Sequence, residues 1–352
     1  MTEMNDIRSY TYDRLREEMI SLDEKAFRAD QIFDWLHQKC VDDFDSMTNL
    51  SALLRSKLSD SFFISTARCV KALTSGDGTR KYVFALHDDN VIETVLLKYD
   101  FGNTVCISSQ VGCRMGCRFC ASTVDGLVRG LTAGEMAAQI YEVERQSGER
   151  VSHVVIMGSG EPLDNYDSLT DFIDIITDPH GKNMSGRNIT VSTCGLVPQI
   201  RSLADRKYAL TLALSLHAVT DEKRRKIMPI ANKYALEDVI DACRYYTDTT
   251  GRRLTLEYSL ISGENDTAED IEKLAVIAKR LDAHVNLIPV NPIRESSYSP
   301  TARNDAILLK NKLEKNHINV TIRREMGRDI SASCGQLRRD FLKEQKHGEV
   351  NA

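Results

Sequence analysis

Residues 106–123 read CISSQVGCRMGCRFCAST, and Cys113, Cys117 and Cys120 within it set the problem the rest of the chain has to serve. Their C-x3-C-x2-C spacing lets one tight loop point three thiolates at a single inorganic centre, and the small and apolar residues ending at Ser108 place that loop at the end of a strand. Iron–sulfur clusters are normally held by four thiolates, so a compact triplet predicts a [4Fe-4S] cubane with one iron left for an exchangeable ligand. Two plainer outcomes fit the same residues. Cys106, seven residues before Cys113, can complete a four-cysteine zinc site. Alternatively, the thiols are buried apolar side chains without chemistry.

Working outward, the 352 residues suffice for two domains of roughly 150 residues, or one large α/β domain with an appendage. With 42% hydrophobic and 28% charged residues the composition is that of a soluble globular protein. No stretch reaches the roughly 20 apolar residues of a membrane span. The charged start MTEMNDIRSYTYDRLREEM lacks a signal-peptide core, so the chain is expected in the cytoplasm. In that reducing compartment nine cysteines point to metal or redox chemistry, not to a disulfide framework. A net charge of −5 leaves any RNA contact to local basic patches. Candidates are Lys223-Arg224-Arg225-Lys226, Arg252-Arg253, Arg323-Arg324 with Arg328, and Arg338-Arg339, each of which reads otherwise as a solvated helix face.

Residues 1–65 carry helix-like apolar spacing in FRADQIFDW and SMTNLSALLRSKL, which predicts a helical accessory domain, either a cap on the main body or a separate RNA-recognition module. Over 66–100 the period becomes that of strands: RCVKAL, KYVFAL and VIETVLLKY, with turns at Asp77-Gly78 and Asp88-Asp89-Asn90, predict an antiparallel meander. From 101 to 340, the strand near 104–108 is followed by VSHVVIM, NITVST, LTLALSL, LTLEYSLI, HVNLIPV and INVTIR, with helical segments between them. Such runs are buried on both faces, as in a parallel β/α sheet. A charged tail, 341–352, ends the chain.

Sites in parallel α/β folds lie beyond the carboxyl ends of the strands. There the sequence places the cysteine loop, GSGEP (Gly158 to Pro162), Ser192 with Thr193 and Cys194, Ser215-Leu216-His217, and Asn291. GSGEP lacks the third glycine of a dinucleotide fingerprint. Its glycines can bring backbone near a ligand, and Glu161 adds a carboxylate able to accept from an ammonium. After the last strand, the loop INVTIRREMGRDISASCGQL carries Cys334.

The cysteine spacing, with Phe119 inside the last pair, resembles the signature of radical S-adenosylmethionine (SAM) enzymes, in which SAM's amino and carboxylate groups occupy the open iron. Over about residues 25 to 340 the chain resembles the RlmN family, which methylates carbon 2 of an adenine in the peptidyl-transferase centre of 23S rRNA and, in many bacteria, of an anticodon-loop adenine in tRNA. The likeness rests on IETV, SSQVGCRMGCRFCAST, GSGEP, VSTCG, SLH, NLIPVNP and SCGQL. The sister Cfr family modifies carbon 8 of the same ribosomal adenine; Arg114, Met115 and Ala121-Ser122-Thr123 favour the carbon-2 family.

The resemblance implies an α/β fold, a six-stranded partial parallel β/α barrel with an N-terminal helical domain and a small antiparallel β extension. It implies that Cys113, Cys117 and Cys120 hold one [4Fe-4S] cluster, and that Gly160, Glu161, Ser192, Ser215, Leu216, His217 and Asn291 bind SAM. Cys334 would carry a methyl group as S-methylcysteine, Cys106 would be the second redox-active cysteine, and Glu93, otherwise an ordinary solvated strand residue, would be a proton acceptor. Two SAM molecules per turnover follow: one methylates Cys334, the other yields the 5′-deoxyadenosyl radical. Implied partners are 23S rRNA, as a protein-poor assembly intermediate, tRNA, a low-potential electron donor such as flavodoxin, and a disulfide reductant; the protein is expected to be a monomer without membrane contact. Departures from the family pattern are Ser159, Cys194, Ser331 and Ser333. Cys194 sets another thiol near SAM and with it a route to off-path oxidation.

Overall fold

The alternating and apolar runs all enter one sheet. A computed structural model describes residues 4–293, 296–324, 326–330 and 341; Cys334 and the Arg338-Arg339 pair lie outside the described residues. The chain opens with β1 (Asn5–Asp6), α1 (Tyr12–Ser21), α2 (Arg28–His37) and α3 (Ala52–Ser61), then returns to β1 through its parallel partner β2 (Phe62–Phe63). Thr11 and Ser51 start α1 and α3 by accepting a hydrogen bond from the amide three residues on, which satisfies an orphan donor of the first turn.

β3 (Arg68–Thr74), β4 (Arg80–Ala85) and β5 (Val91–Tyr99) form the antiparallel meander, and β6 (Gly102–Ile107) continues it. A small hairpin, β7 (Gln110–Gly112) with β8 (Leu127–Gly130), encloses the cysteine loop. Strands and helices then alternate: α4 (Ala133–Ser147), β9 (His153–Ile156), α5 (Tyr166–Thr177), β10 (Ile189–Thr193), α6 (Val197–Asp205), β11 (Thr211–Ser215), α7 (Asp221–Ile227), α8 (Leu236–Thr250), β12 (Leu254–Leu260), α9 (Ala268–Arg280), β13 (His284–Pro289), α10 (Arg303–Lys315) and β14 (Val320–Ile322).

The sheet runs β14-β13-β12-β11-β10-β9-β6-β5-β4-β3, parallel from β14 to β6 and antiparallel beyond. Its parallel part is one strand longer than the six-stranded core the resemblance implies, because three-residue β14 still ladders onto β13. Leu212, Ala213 and Leu214 of β11 are all wholly buried, as expected of a strand covered on both faces.

The N-terminal helices pack as a cap on this body. Ile7, Leu15, Phe33 and Leu36 share one continuous core with Ile140 of α4 and Phe172 of α5. Arg8, wholly buried, donates to the carbonyls of Val41 and Ser65, and His37 Nδ1 meets the Tyr141 hydroxyl at 2.9 Å. Thr132 and Glu135 form a capping box at the start of α4, and the Thr132 hydroxyl also donates to Asp6 at 2.9 Å. Among the described residues no helix is long and apolar enough to cross a membrane.

Candidate active site

A cavity of about 230 Å³ opens at the carboxyl ends of the parallel strands. Cys113, Cys117, Cys120, Gly160, Glu161, Ser192, Ser215, His217 and Asn291 all line it. Residues spread over 178 positions of sequence thus converge on one space (291 − 113).

The cysteine loop is held by its own main chain. Cys113 N donates to Gly126 O at 2.9 Å, Cys120 N to Cys117 O at 3.0 Å, and Arg118 N to Ile227 O at 2.9 Å. The Thr123 hydroxyl adds bonds to the Cys117 and Cys120 carbonyls, at 3.3 and 3.1 Å. Burial pushes the Cys113 thiol up to about 12 and Cys117 well upward, and neighbouring thiolates add to the penalty. As thiolates these side chains would need a cation beside them, and an iron centre would supply it.

Among the described residues no three His, Cys, Asp or Glu side chains gather closely enough to ligate one ion. Three thiols around one cavity fit the protein ligand set that a [4Fe-4S] cluster would take. The four-cysteine zinc arrangement is not formed, because Cys106 packs elsewhere, with Val95 and Leu97.

GSGEP abuts the strand that leads into the cysteine loop. A Cβ on Gly158 would lie 2.7 Å from Ile107 O, and one on Gly160, whose φ is +108°, 2.7 Å from Gln110 Cβ. These glycines admit another stretch of this chain, and both also line the cavity. Glu161 is buried, accepting from Leu163 N at 3.1 Å and Cys194 N at 2.8 Å. Burial raises its carboxyl above the usual range against the pull of those bonds. The Ser192 and Ser215 hydroxyls sit 3.5 Å apart on adjacent strands.

His217 takes a left-handed φ of 52° and stacks edge-on against Phe119, with ring centroids 4.8 Å apart. Its Nδ1 accepts from Ser259 N at 2.9 Å, which leaves the proton of the neutral ring on Nε2. Leu216 is wholly buried behind the wall and joins by main chain, its N–H donating to Glu257 O at 3.0 Å. Cys194 also lines the cavity, but burial and then the Glu161 charge push its thiol well up. A thiol kept protonated is a poor nucleophile, which blunts the oxidation route.

Sequence reasoning missed two supports. Glu257, in β12, lines the cavity and accepts from Asn286 Nδ2 at 2.9 Å; a carboxylate amid the apolar run LTLEYSLI was the available signal. Gln139 of α4 brackets the end of β6, its Oε1 accepting from Ser108 N and the Thr94 hydroxyl, both at 2.9 Å, and its Nε2 donating to Ser108 O at 3.0 Å. A mid-helix glutamine carries no comparable mark.

Cys106 and Glu93 do not line the cavity, but the strand registers put them on the same face of the sheet as Ser192, Ser215 and Glu257, towards its antiparallel strands. Cys106 pairs with Val95 across β5–β6, so by the strand period it shares a face with Glu93. Glu93 is buried, its carboxylate 3.2 Å from the ammonium of wholly buried Lys81, which corrects the solvated-face expectation. Met157 belongs both to the cavity wall and to the cluster around Cys106. Chain flanking the Cys334 segment is seated on this face too: Met326 packs on the Cys106 cluster, and Phe341 on Val83, Ala85 and Val91.

The basic run 223–226 is not a uniform patch. Lys223 pairs with Asp270 at 2.6 Å and Arg224 is buried, donating to Cys194 O at 2.6 Å, which leaves Arg225 and Lys226 exposed. Arg323 lines the cavity.

A β/α sheet whose first parallel strand hands on to a three-cysteine loop defines a radical SAM protein; the radical SAM superfamily model matches residues 107–275. The structure superposes on a radical SAM methyltransferase from Sphaerobacter thermophilus with a TM-score of 0.89 at 39% identity, covering 94% of this chain and 98% of that one. Residues 5–64 match the ribosomal RNA large subunit methyltransferase N-terminal domain. Probable dual-specificity RNA methyltransferases RlmN are similar over the whole length: that of Lachnospira eligens is 55% identical over 97% of this chain and 98% of its own, and that of Lachnoclostridium phytofermentans 54% over 100% and 99%. The chain belongs to the RlmN family.

Proposed function

We propose that this radical SAM methyltransferase acts on carbon 2 of adenine in 23S rRNA and in tRNA, in the cytoplasm, by way of a methyl group carried on Cys334. Carbon 2 is an electron-poor amidine carbon, unable to attack a sulfonium methyl, so the methyl must arrive as a carbon radical. A [4Fe-4S] cluster, when bound, would supply the low-potential electron for reductive cleavage of SAM. Cys113, Cys117 and Cys120 would hold that cluster. Gly160, Glu161, Ser192, Ser215, His217 and Asn291 would surround SAM, and Leu216 would position the turn behind it.

Cys334 first takes a methyl from one SAM. After hydrogen abstraction and addition to the ring, the adduct radical gives up one electron to the low-potential redox system; Cys106 then attacks the Cys334 sulfur, breaking the carbon–sulfur bond, whose carbon takes a proton, and forming a disulfide. Glu93 or Cys106 accepts the carbon-2 proton. A dithiol reductant then reopens the disulfide, and a low-potential donor such as flavodoxin recharges the cluster of the monomer.

The observation that supports this reading is a shared face. Thiols and strand-end polar groups line the cavity, and Cys106 and Glu93 lie along the same face of the sheet as Ser192 and Ser215, where Met326 and Phe341 are seated. Anaerobic reconstitution with labelled SAM and unmodified 23S rRNA or tRNA, followed by nucleoside analysis, tests it. Labelled 2-methyladenosine is expected from both RNAs; 8-methyladenosine would assign the sister chemistry instead. Cys106→Ala is expected to leave RNA covalently joined to Cys334, and free methylated RNA at normal yield from that variant contradicts the assigned role.

A further inference from the structure

We propose that the β3–β4 hairpin is a clasp that positions the segment carrying Cys334, with Asp77 and Asp329 as its two positioning residues. This rests on the role given to Cys334 above. The contacts are reciprocal. The hairpin's Asp77 Oδ2 accepts from Gly327 N at 2.9 Å. In return Asp329 Oδ1 accepts from the Ser75 hydroxyl at 2.5 Å, and Oδ2 from Gly76 N at 3.3 Å.

Each side is built for the exchange. Asp77 also accepts from Thr79 N at 2.9 Å, which fixes its carboxylate within the turn before the loop arrives. Gly327 adopts a φ of 63°, a left-handed conformation suited to glycine, and so offers its amide to that carboxylate. Both aspartates are exposed, so the contact is a polar one at the surface that can open without exposing a core.

Location gives the clasp its function. Asp329 is five residues before Cys334 in the chain. On the far side, Phe341 is seated on Val83, Ala85 and Val91, within strands β4 and β5 of the same meander. The strands added beside the parallel core thus hold both ends of the segment, on the face that carries Glu93 and Cys106. Without the clasp, the nearest seated residue on that side is Met326, and the span to Cys334 grows from five residues to eight. Local concentration falling as the −3/2 power of that length then drops roughly twofold.

The test uses reconstituted full-length Asp77→Ala, Asp329→Ala and Asp329→Asn. The first readout is methyl delivered to RNA per 5′-deoxyadenosine formed, and the second is the rate of Cys106–Cys334 disulfide closure in unmethylated protein under a mild oxidant. Both alanine variants are expected to keep the cluster's EPR signal and to lose roughly twofold in each readout. Asp329→Asn, which retains one acceptor, is expected to recover most of it. An unchanged ratio and closure rate overturn the clasp. So does a parallel loss of cluster signal, SAM cleavage and methylation, which would mark a purely folding role. Should Cys334→Ala still methylate RNA, the reading of Cys334 fails, while the closure rate still decides whether the clasp positions the segment.

Discussion

His217 shows how a single buried ring ties the cavity to pH. Burial, with Arg224 adding to it, holds its pKa down to about 3, while in the unfolded chain it titrates near its ordinary value of 6.5. The unfolded state therefore binds a proton that the folded state refuses, so the stability this ring contributes is complete above the unfolded value and is lost as pH falls toward 3. At pH 5 the loss amounts to about 2 kcal/mol. Denaturant titrations at pH 7, 6 and 5 should show His217→Gln with a shallower fall than the parent; identical slopes would remove the ring from the account. His37, also held well below its ordinary value by burial, contributes in the same direction, so the variant flattens the curve only in part. Lys81 and Glu93 make the second residue-scale case. Taking away one member of a buried pair strands the other charge and costs about 3–5 kcal/mol. Lys81→Met should be destabilised on that scale, and Lys81→Met with Glu93→Gln less than either loss added to the other. Strict additivity in the double-mutant cycle would show that the 3.2 Å contact is energetically silent.

At the scale of elements, the GSGEP loop and the end of β6 form one unit. Ser109 N and Gln110 N donate to Ser159 O at 2.9 and 3.1 Å, and Gly158 N to Ile107 O at 2.9 Å. Gly158→Ala would set a methyl 2.7 Å from Ile107 O and 2.8 Å from Ser108 Oγ, forcing apart the strand end that delivers the cysteine loop. Overpacking of this kind costs about 1–3 kcal/mol. A lower denaturation midpoint, together with weaker SAM binding by calorimetry, is the expected pair of results; weaker binding at unchanged stability would return the glycine to direct ligand contact. What could be read beforehand follows the same division. Strand ends were legible because runs such as LTLALSL and HVNLIPV have a period and a stop, so the strand-end residues named from the sequence reach the cavity wall, except Ser159, Thr193 and Leu216. The facing of Cys106 was not legible, because it depends on the β5–β6 register that pairs it with Val95. Nor was Lys81 visible as the partner of Glu93: KYVFAL alternates like any strand, and only the antiparallel pairing of β4 with β5 brings the two together.

Across the whole molecule, two family models divide the chain at residues 5–64 and 107–275, while the packing does not divide it. Arg8 is the clearest witness. Its guanidinium is wholly buried, bonded to the carbonyls of Val41 and Ser65, 3.3 Å from Asp42, and set over the Tyr141 ring of α4 at 5.7 Å. Phe33 and His37 of α2 pack against each other with centroids 4.3 Å apart and rings tilted by 50°, and His37 in turn reaches the Tyr141 hydroxyl. A cap joined to the body through one core and buried polar contacts should not melt separately. Calorimetry is therefore expected to show one cooperative transition for the full chain. Arg8→Ala leaves the Val41 and Ser65 carbonyls without their donor, at about 1–3 kcal/mol for each buried group left unpaired, and that loss should lower the single transition as a whole. If the variant instead splits the melt, with an early step for the N-terminal helices and an unmoved step for the sheet, then the cap is an independent unit resting on the body.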